Sequence, residues 1–274
     1  MTLLSAAADV KKPHIDIAAD TIFQFGFFKV TNSMLMGVLG YAIVLAAFFY
    51  TIWSLKHGRK NHFVSVMTWG YETLYQKVEG IIGDKKLARK IAPLPIALFF
   101  TILANYWIGI LPFVGSVSTM GSHPLPIYRG LLADMNTTFA LAIISMVTAQ
   151  IYAARALGFW GNVGRYLVNP FRDPIGSFVG LLEIVSELSR MLALSLRLFG
   201  NVFAGEVLLI MVGFLTSYAA GVALLPFMLF ELFIGFIQSY VFFMLTTVFI
   251  SLGLVSHGDP PEKHLSEHQT PSGS

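Results

Sequence analysis

The sequence predicts an all-α polytopic membrane protein with five membrane-crossing helices and one amphipathic interfacial helix. Three observations carry that prediction. Of 274 residues, 55% are hydrophobic and only 12% charged, against about 25% charged in a soluble domain. The segments 30–55, 91–128, 135–154, 207–230 and 232–258 contain no Asp, Glu, Lys or Arg, and about 20 apolar residues are enough to cross a bilayer as a helix. The ten-residue strand alternation of an outer-membrane barrel is absent, which leaves helices as the structure that satisfies its own backbone in lipid.

Residues 1–33 mix both charge signs ahead of any long apolar run, without the basic-then-apolar order of a signal peptide. They form an N-terminal extracytoplasmic segment, short and ordered or frayed. The membrane domain spans 34–256. Its first span covers about 34–54 and ends at "LKHGRKNH". Residues 64–82 are too polar to cross; Val66, Trp69, Leu74, Val78 and Ile81 are expected on one side of a surface-lying helix, opposite Glu72, Gln76, Lys77 and Glu79. Pro93 and Pro95 open the second span, "IALFFTILANYWIGILPFVG". A polar loop with His123, Pro124 and Pro126 leads to the third, "ADMNTTFALAIISMVTAQIYAARA". The Gly- and Pro-punctuated "GFWGNVGRYLVNPFRDPIG" is a connector. A long helix from 174 to near 210 and a last one from 224 toward 256 complete the set. The tail 257–274 is polar, and its composition predicts disorder.

Orientation follows from Lys and Arg. With the first loop inside, the inner segments carry Lys56, Arg59, Lys60, Lys77, Lys85, Lys86, Arg89, Lys90, Arg155, Arg165, Arg172 and Lys263; the outer ones carry Lys11, Lys12, Lys29 and Arg129. That asymmetry puts the N-terminus outside and the C-terminus in the cytoplasm.

The long helix poses the functional question. Residues 179–206 hold Glu183, Glu187, Arg190, Arg197 and Glu206. Five charges facing lipid cost roughly 12–17 kcal/mol on the insertion scale, and the Leu, Ile, Val and Phe of the same stretch offset only about 4–8. These charges must meet water, protein or each other. Glu183, Glu187, Arg190, Leu194, Arg197 and Asn201 fall within roughly 80° of arc, so the helix has one polar stripe. Glu206 projects about 140° from Glu183, toward a different cavity unless the helix bends. Glu231 and Gln238, seven apart, share a face of the last helix. Asn105, Asp134 and Asn136 are further polar candidates, for an ion pathway or equally for packing and capping. Glu183, Glu187 and Arg190 also suit an intrahelical ion-pair cluster, and Glu206 and Glu231 suit pairing with arginines. Arg197 fits mere packing poorly, because a permanent buried cation is costly.

Other classes are disfavoured. There is no cysteine, hence no disulfide or thiolate chemistry. The histidines show no metal-ligand spacing, and no cofactor is implied. A net charge of +3 is too small and dispersed for a nucleic-acid binder. Nucleotide-binding, zinc-protease and nucleophile-elbow motifs are missing, so the chain is not expected to be catalytic alone. A stand-alone cation-coupled secondary transporter is the alternative, but no internal repeat supports it.

At "SLRLFGNVFAGE", with Gln238 in the downstream "ELFIGFIQSYVFFMLTTVFISLG", the chain resembles subunit a of rotary F-type ATP synthases. "LANYWIGILPF" is similar to that family's second-span Asn, Gly and Pro motif, carried by Asn105, Gly109 and Pro112 with altered spacing, and "TNSMLM" fits bacterial members. The similarity covers most of 14–256. The resemblance implies that the long, tilted last two helices pack against a c-ring of small hairpin proteolipids, beside peripheral-stalk b subunits and the F1 sector, in a bacterial plasma membrane. It implies that Arg197 is the essential ring-facing arginine. Asn201, Glu206, Glu231 and Gln238 would line an outer half-channel, and Glu183, Ser186 and Arg190 an inner one. Glutamate at both 206 and 231, where relatives place a histidine at one, implies a carboxylate-based relay.

Overall fold

The computed structural model describes residues 21–25, 28–59, 61–111, 129–158, 174–216 and 220–254. The expected polar loop around His123, most of the connector before 174, the motif residue Pro112 and the tail 257–274 lie outside them. A short antiparallel hairpin, β1 (Thr21–Phe25) and β2 (Phe28–Thr31), comes first. Seven helices follow: α1 (Asn32–Lys56), α2 (His62–Ile82), α3 (Lys85–Ile91), α4 (Pro93–Ile110), α5 (Met135–Leu157), α6 (Pro174–Thr216) and α7 (Ala220–Leu254). A single 3-10 turn, Leu131–Ala133, leads into α5. Five of the helices, α1, α4, α5, α6 and α7, are long and apolar enough to cross a membrane. The fold is therefore that of an all-helical polytopic membrane protein, with one hairpin that helical periodicity did not anticipate.

Helix ends follow local chemistry. Thr31 caps α1, its hydroxyl accepting from the Met34 amide at 3.4 Å. Gly83 closes α2 at φ 77°, a left-handed geometry that glycine adopts without a Cβ penalty. Asp84 caps α3 through the Lys86 amide at 2.8 Å, and Pro93 occupies the first turn of α4, where its missing N–H is not needed. Both long helices exceed expectation: α6 has 43 residues rather than ending near 210, and α7 has 35, beginning at Ala220 rather than 224. At 1.5 Å per residue they reach about 65 and 53 Å, well beyond the roughly 30 Å hydrocarbon core.

α2 departs from its expected face. Leu74 and Val78 are buried, but Val66 and Trp69 are 64% and 69% exposed. Val66 lies about 120° and Trp69 about 180° from Val78 on an ideal helix, so no single stripe collects all of these residues. The second half of α2 packs instead with Ala88, Ala92, Ile96, Phe99 and Phe243, while its first half presents Phe63, Val66 and Trp69 outward.

The main core joins α4, α5, α6 and α7 through Ile102, Tyr106, Leu141, Leu194, Leu198 and Phe242, with Leu132 from the 3-10 turn. Hydroxyls stitch it: Ser145 Oγ donates to Thr246 Oγ1 at 2.8 Å and Ser195 Oγ to Thr138 Oγ1 at 3.3 Å, all four fully buried. Such interhelical bonds hold helices where lipid offers no hydrophobic driving force. α1 joins the bundle at Gly40, where a Cβ would run into the Asn105 amide. Gly40→Val is expected to destabilise the protein by about 1–3 kcal/mol through overpacking, seen as a lower midpoint of thermal unfolding in detergent.

Candidate functional site

α6 turns only a narrow side to the core. Leu194, Ser195 and Leu198 are its fully buried positions in mid-helix, whereas Leu181, Leu182, Val185, Leu188, Leu192 and Leu196 are exposed. Arg197, about 100° from Leu198 on an ideal helix, falls outside the packed side and is exposed. Among the described residues it makes no ion pair. The stripe seen in the sequence thus divides. Leu194 enters the core, Glu183, Ser186, Glu187 and Arg190 are half-buried, and Arg197 and Asn201 reach the surface.

One turn beyond Arg197, Asn201 Nδ2 donates to Gln238 Oε1 at 2.7 Å, joining α6 to α7. Gln238 is itself buried, and its Nε2 has no hydrogen-bond partner among the described residues. A buried orphan donor costs about 1–3 kcal/mol, so this amide is suited to a water or a polar group from another chain. Glu231, two turns earlier on α7, is 4% exposed and accepts from the Tyr106 hydroxyl at 2.9 Å. The site closes tightly around it: a Cβ on Gly205 of α6 would fall on the Glu231 carboxylate. Trp107 Nε1 also donates to the Leu232 carbonyl at 3.0 Å, fixing the end of α4 against α7.

Glu206 sits one residue from this cluster but turns elsewhere, as its angle on the helix predicts. Its Oε2 lies 3.7 Å from Arg129 Nε. That is ion-pair distance, longer than a hydrogen bond, and Arg129 is buried in the segment ahead of the 3-10 turn. The expected outer group therefore occupies one end of α6 and α7 as three pairs: Asn201 with Gln238, Glu231 with Tyr106, and Glu206 with Arg129.

The other end is built around Glu187. Gln150 Nε2 of α5 donates to its Oε1 at 2.6 Å, and the Arg190 guanidinium lies 5.7 Å over the Phe249 ring instead of pairing with Glu187. Glu183 and Ser186 occupy the same half-buried stretch.

The remaining candidates make local contacts. Asn105 is buried and donates to the Thr101 carbonyl at 2.9 Å while packing on Gly40. Asp134 caps α5, accepting from the Asn136 amide at 3.0 Å, the Asn136 side chain at 3.3 Å and Ser33 Oγ at 3.4 Å. Asn136 is exposed beside it.

Tyr106, Arg129 and Gln150 escaped the sequence. Tyr106 reads as one more aromatic in an apolar span, and Arg129 as a loop charge. Gln150 did carry a signal, an amide in the otherwise apolar "FALAIISMVTAQIYAARA".

With this geometry in place, comparison with known proteins is informative. An ATP synthase subunit a of Acidothermus cellulolyticus is 27% identical over 93% of this chain and 89% of its own length. One of Acinetobacter baylyi is 27% identical over 80% and 82%, and one of Acinetobacter baumannii 26% identical over 87% and 88%. The family model described as ATP synthase A chain matches residues 34–251. That match takes in all or nearly all of each of the five membrane-crossing helices among the described residues and all three residue pairs around Glu231, so the chain belongs to the ATP synthase A chain family.

Proposed function

We propose that the protein is the proton-translocating stator subunit of the membrane sector of a rotary ATP synthase, holding two offset aqueous half-channels against a rotating ring of small hairpin subunits. The observation that carries this reading is the exposed Arg197 on an apolar helix face, unpaired among the described residues, one turn from the Asn201–Gln238 contact. A guanidinium facing lipid at that depth is unfavourable by about 2.5–3.5 kcal/mol or more. A partner bearing a carboxylate at the same depth resolves the conflict. The flanking exposed Leu192, Leu196, Gly200 and Ala204 give that partner an apolar, partly small-residue surface for close approach.

The chemistry follows from burial. A ring carboxylate crosses lipid only when protonated, because its anion is too costly there. Beside Arg197 the ionised form is favoured and the proton departs toward one half-channel. The other half-channel reprotonates the next carboxylate. Asn201, Glu206, Glu231 and Gln238 serve the outer half-channel and Glu183, Ser186 and Arg190 the inner one. Arg197 also blocks direct passage between them, since a fixed positive charge repels a migrating proton.

The chain performs no nucleotide chemistry itself; that belongs to the F1 sector, coupled through the ring and held by peripheral-stalk b subunits. Residues 34–256 are the membrane domain, with 1–33 outside and 257–274 in the cytoplasm of a bacterial cell. Since the chain has no cysteine, single cysteines test the ring-facing surface cleanly. Cysteine at Leu192 or Leu196 is expected to cross-link to a cysteine-bearing hairpin subunit in the assembled complex, whereas cysteine at Phe49 of α1, which is more exposed than either, is not. Cross-linking from Phe49 alone would overturn the assignment of the face.

A further inference from the structure

The Gln150–Glu187 contact borders a partly open cavity of about 20 Å³ between α5, α6 and α7. Met146, Ala149, Gln150, Glu187, Arg190 and Phe249 line it, with Leu252 and Gly253 closing one side. That volume accommodates one water, and a water needs two to four polar partners to stay in a cavity. Three are at hand on one wall: the Gln150 amide, the Glu187 carboxylate and the Arg190 guanidinium. Between this cavity and Arg197, the same side of α6 passes through the buried Leu194, and the neighbouring Ser145–Thr246 bond is fully buried.

We infer that Glu187, positioned by Gln150, is the proton-exchanging carboxylate of a water site between α5, α6 and α7 that serves the half-channel at this end of α6. The proposal rests on the function proposed above and adds two residues to it. Hydronium in the cavity transfers a proton to a Glu187 oxygen, leaving neutral water; the acid returns that proton to the next water, and no other bond changes. Gln150 holds one carboxylate oxygen with its amide N–H at 2.6 Å, and the Glu187 side chain lines the cavity. Arg190, stacked on Phe249, supplies the countercharge at the rim without bonding the acid directly. Glu187 lies ten residues before Arg197, about 15 Å along the helix axis, so the site is an antechamber and not the place where the ring carboxylate discharges. Gln150 is a positioning residue, since it acts through Glu187.

The test uses the complete ATP synthase in inverted membrane vesicles, with ATP-driven acidification as the readout and the amount of this subunit retained as the assembly check. Glu187→Gln keeps the shape and the Gln150 contact but cannot carry a proton, and is expected to slow pumping about tenfold. Glu187→Asp is expected to recover most of the rate. Pumping by Glu187→Gln at the unsubstituted rate would overturn the proposal, as would equal loss in Glu187→Asp and Glu187→Gln in assembled complexes, which marks helix packing alone. Water access is probed separately with Ag⁺ added from the cytoplasmic face. Met146→Cys, in the cavity wall, is expected to be inhibited about tenfold faster than Ser145→Cys, one residue away in the sealed core. Equal rates would overturn the water site whether or not the Glu187 variants assemble. An Arg197→Ala complex run in parallel separates the two levels: if it pumps, the general function fails, and if it does not, the Glu187 results judge the inference by themselves.

Discussion

Arg197→Ala is expected to abolish ATP-driven proton pumping by the assembled complex, a fall of about a hundredfold or more, while the subunit still inserts and assembles. Arg197 contributes little to the fold: it is exposed, and it makes no ion pair among the described residues. Its removal leaves the core of Leu194, Leu198 and Phe242 intact. On the proposed function, what disappears is the fixed cation that discharges a passing acid, an electrostatic role whose loss typically costs 10²–10³ in rate. Arg197→Lys is expected to fail nearly as completely. An ammonium gives up its proton more readily when desolvated and lacks the planar fork that meets a carboxylate with two parallel N–H groups. Acidification of vesicles, with subunit content measured alongside, checks both variants. Full pumping by either would overturn the assignment of Arg197.

Glu231→Gln is expected to produce the next largest loss, about a hundredfold. The substitution is nearly isosteric, and its amide oxygen still accepts from the Tyr106 hydroxyl, so the buried phenol keeps its partner. Only the ability to bind and release a proton is removed. Tyr106→Phe is the complementary change. It preserves the acid but leaves one carboxylate oxygen buried without its donor, and a milder loss is expected. Gly205 gives an independent handle on the same site. Gly205→Val places a side chain where the Glu231 carboxylate lies, so it is expected to match Glu231→Gln in pumping although no titratable group changes. If Gly205→Val pumps normally, the Glu231 carboxylate is not where coupling occurs. Glu206→Gln tests the division between the two glutamates: it removes the negative charge 3.7 Å from the buried Arg129 Nε, and is expected to lower the yield of assembled complex more than the turnover of what assembles.

The architecture was legible because a span is a one-dimensional property: charge-free length identifies α1, α4, α5 and α7, and α6, which carries five charges, was legible from its polar stripe on an apolar helix. The sequence singled out Arg197 because an intramembrane cation conflicts with its surroundings at the level of composition; the structure leaves that residue exposed, and its role is the one proposed above. Periodicity did not divide the apolar side of α2, where Leu74 and Val78 are buried against protein while Val66 and Trp69 are exposed. An apolar residue near an interface need not face the core, and hydrophobicity does not distinguish lipid from protein. The hairpin at Thr21–Thr31 went unforeseen for the same reason: helical stripes were the pattern being read, and its residues form none. Partners were the hardest to read. Tyr106 is 125 residues from Glu231, and Gln150 is 37 from Glu187. Each pair exists only because α4, α5 and α6 pack against α7 and one another. The angle of Glu206 showed that it left the stripe; only the packed structure supplied Arg129 as its destination.

The oily plug of Ile102, Leu141, Leu194, Leu198 and Phe242 separates the Glu187 chamber from the cluster around Glu231. Its consequence is electrical. A conductor running straight through the subunit would short-circuit the membrane and dissipate the gradient as heat. On the function proposed above, that insulation forces current out through the wall of the protein and onto whatever turns beside Arg197, so that the voltage performs mechanical work.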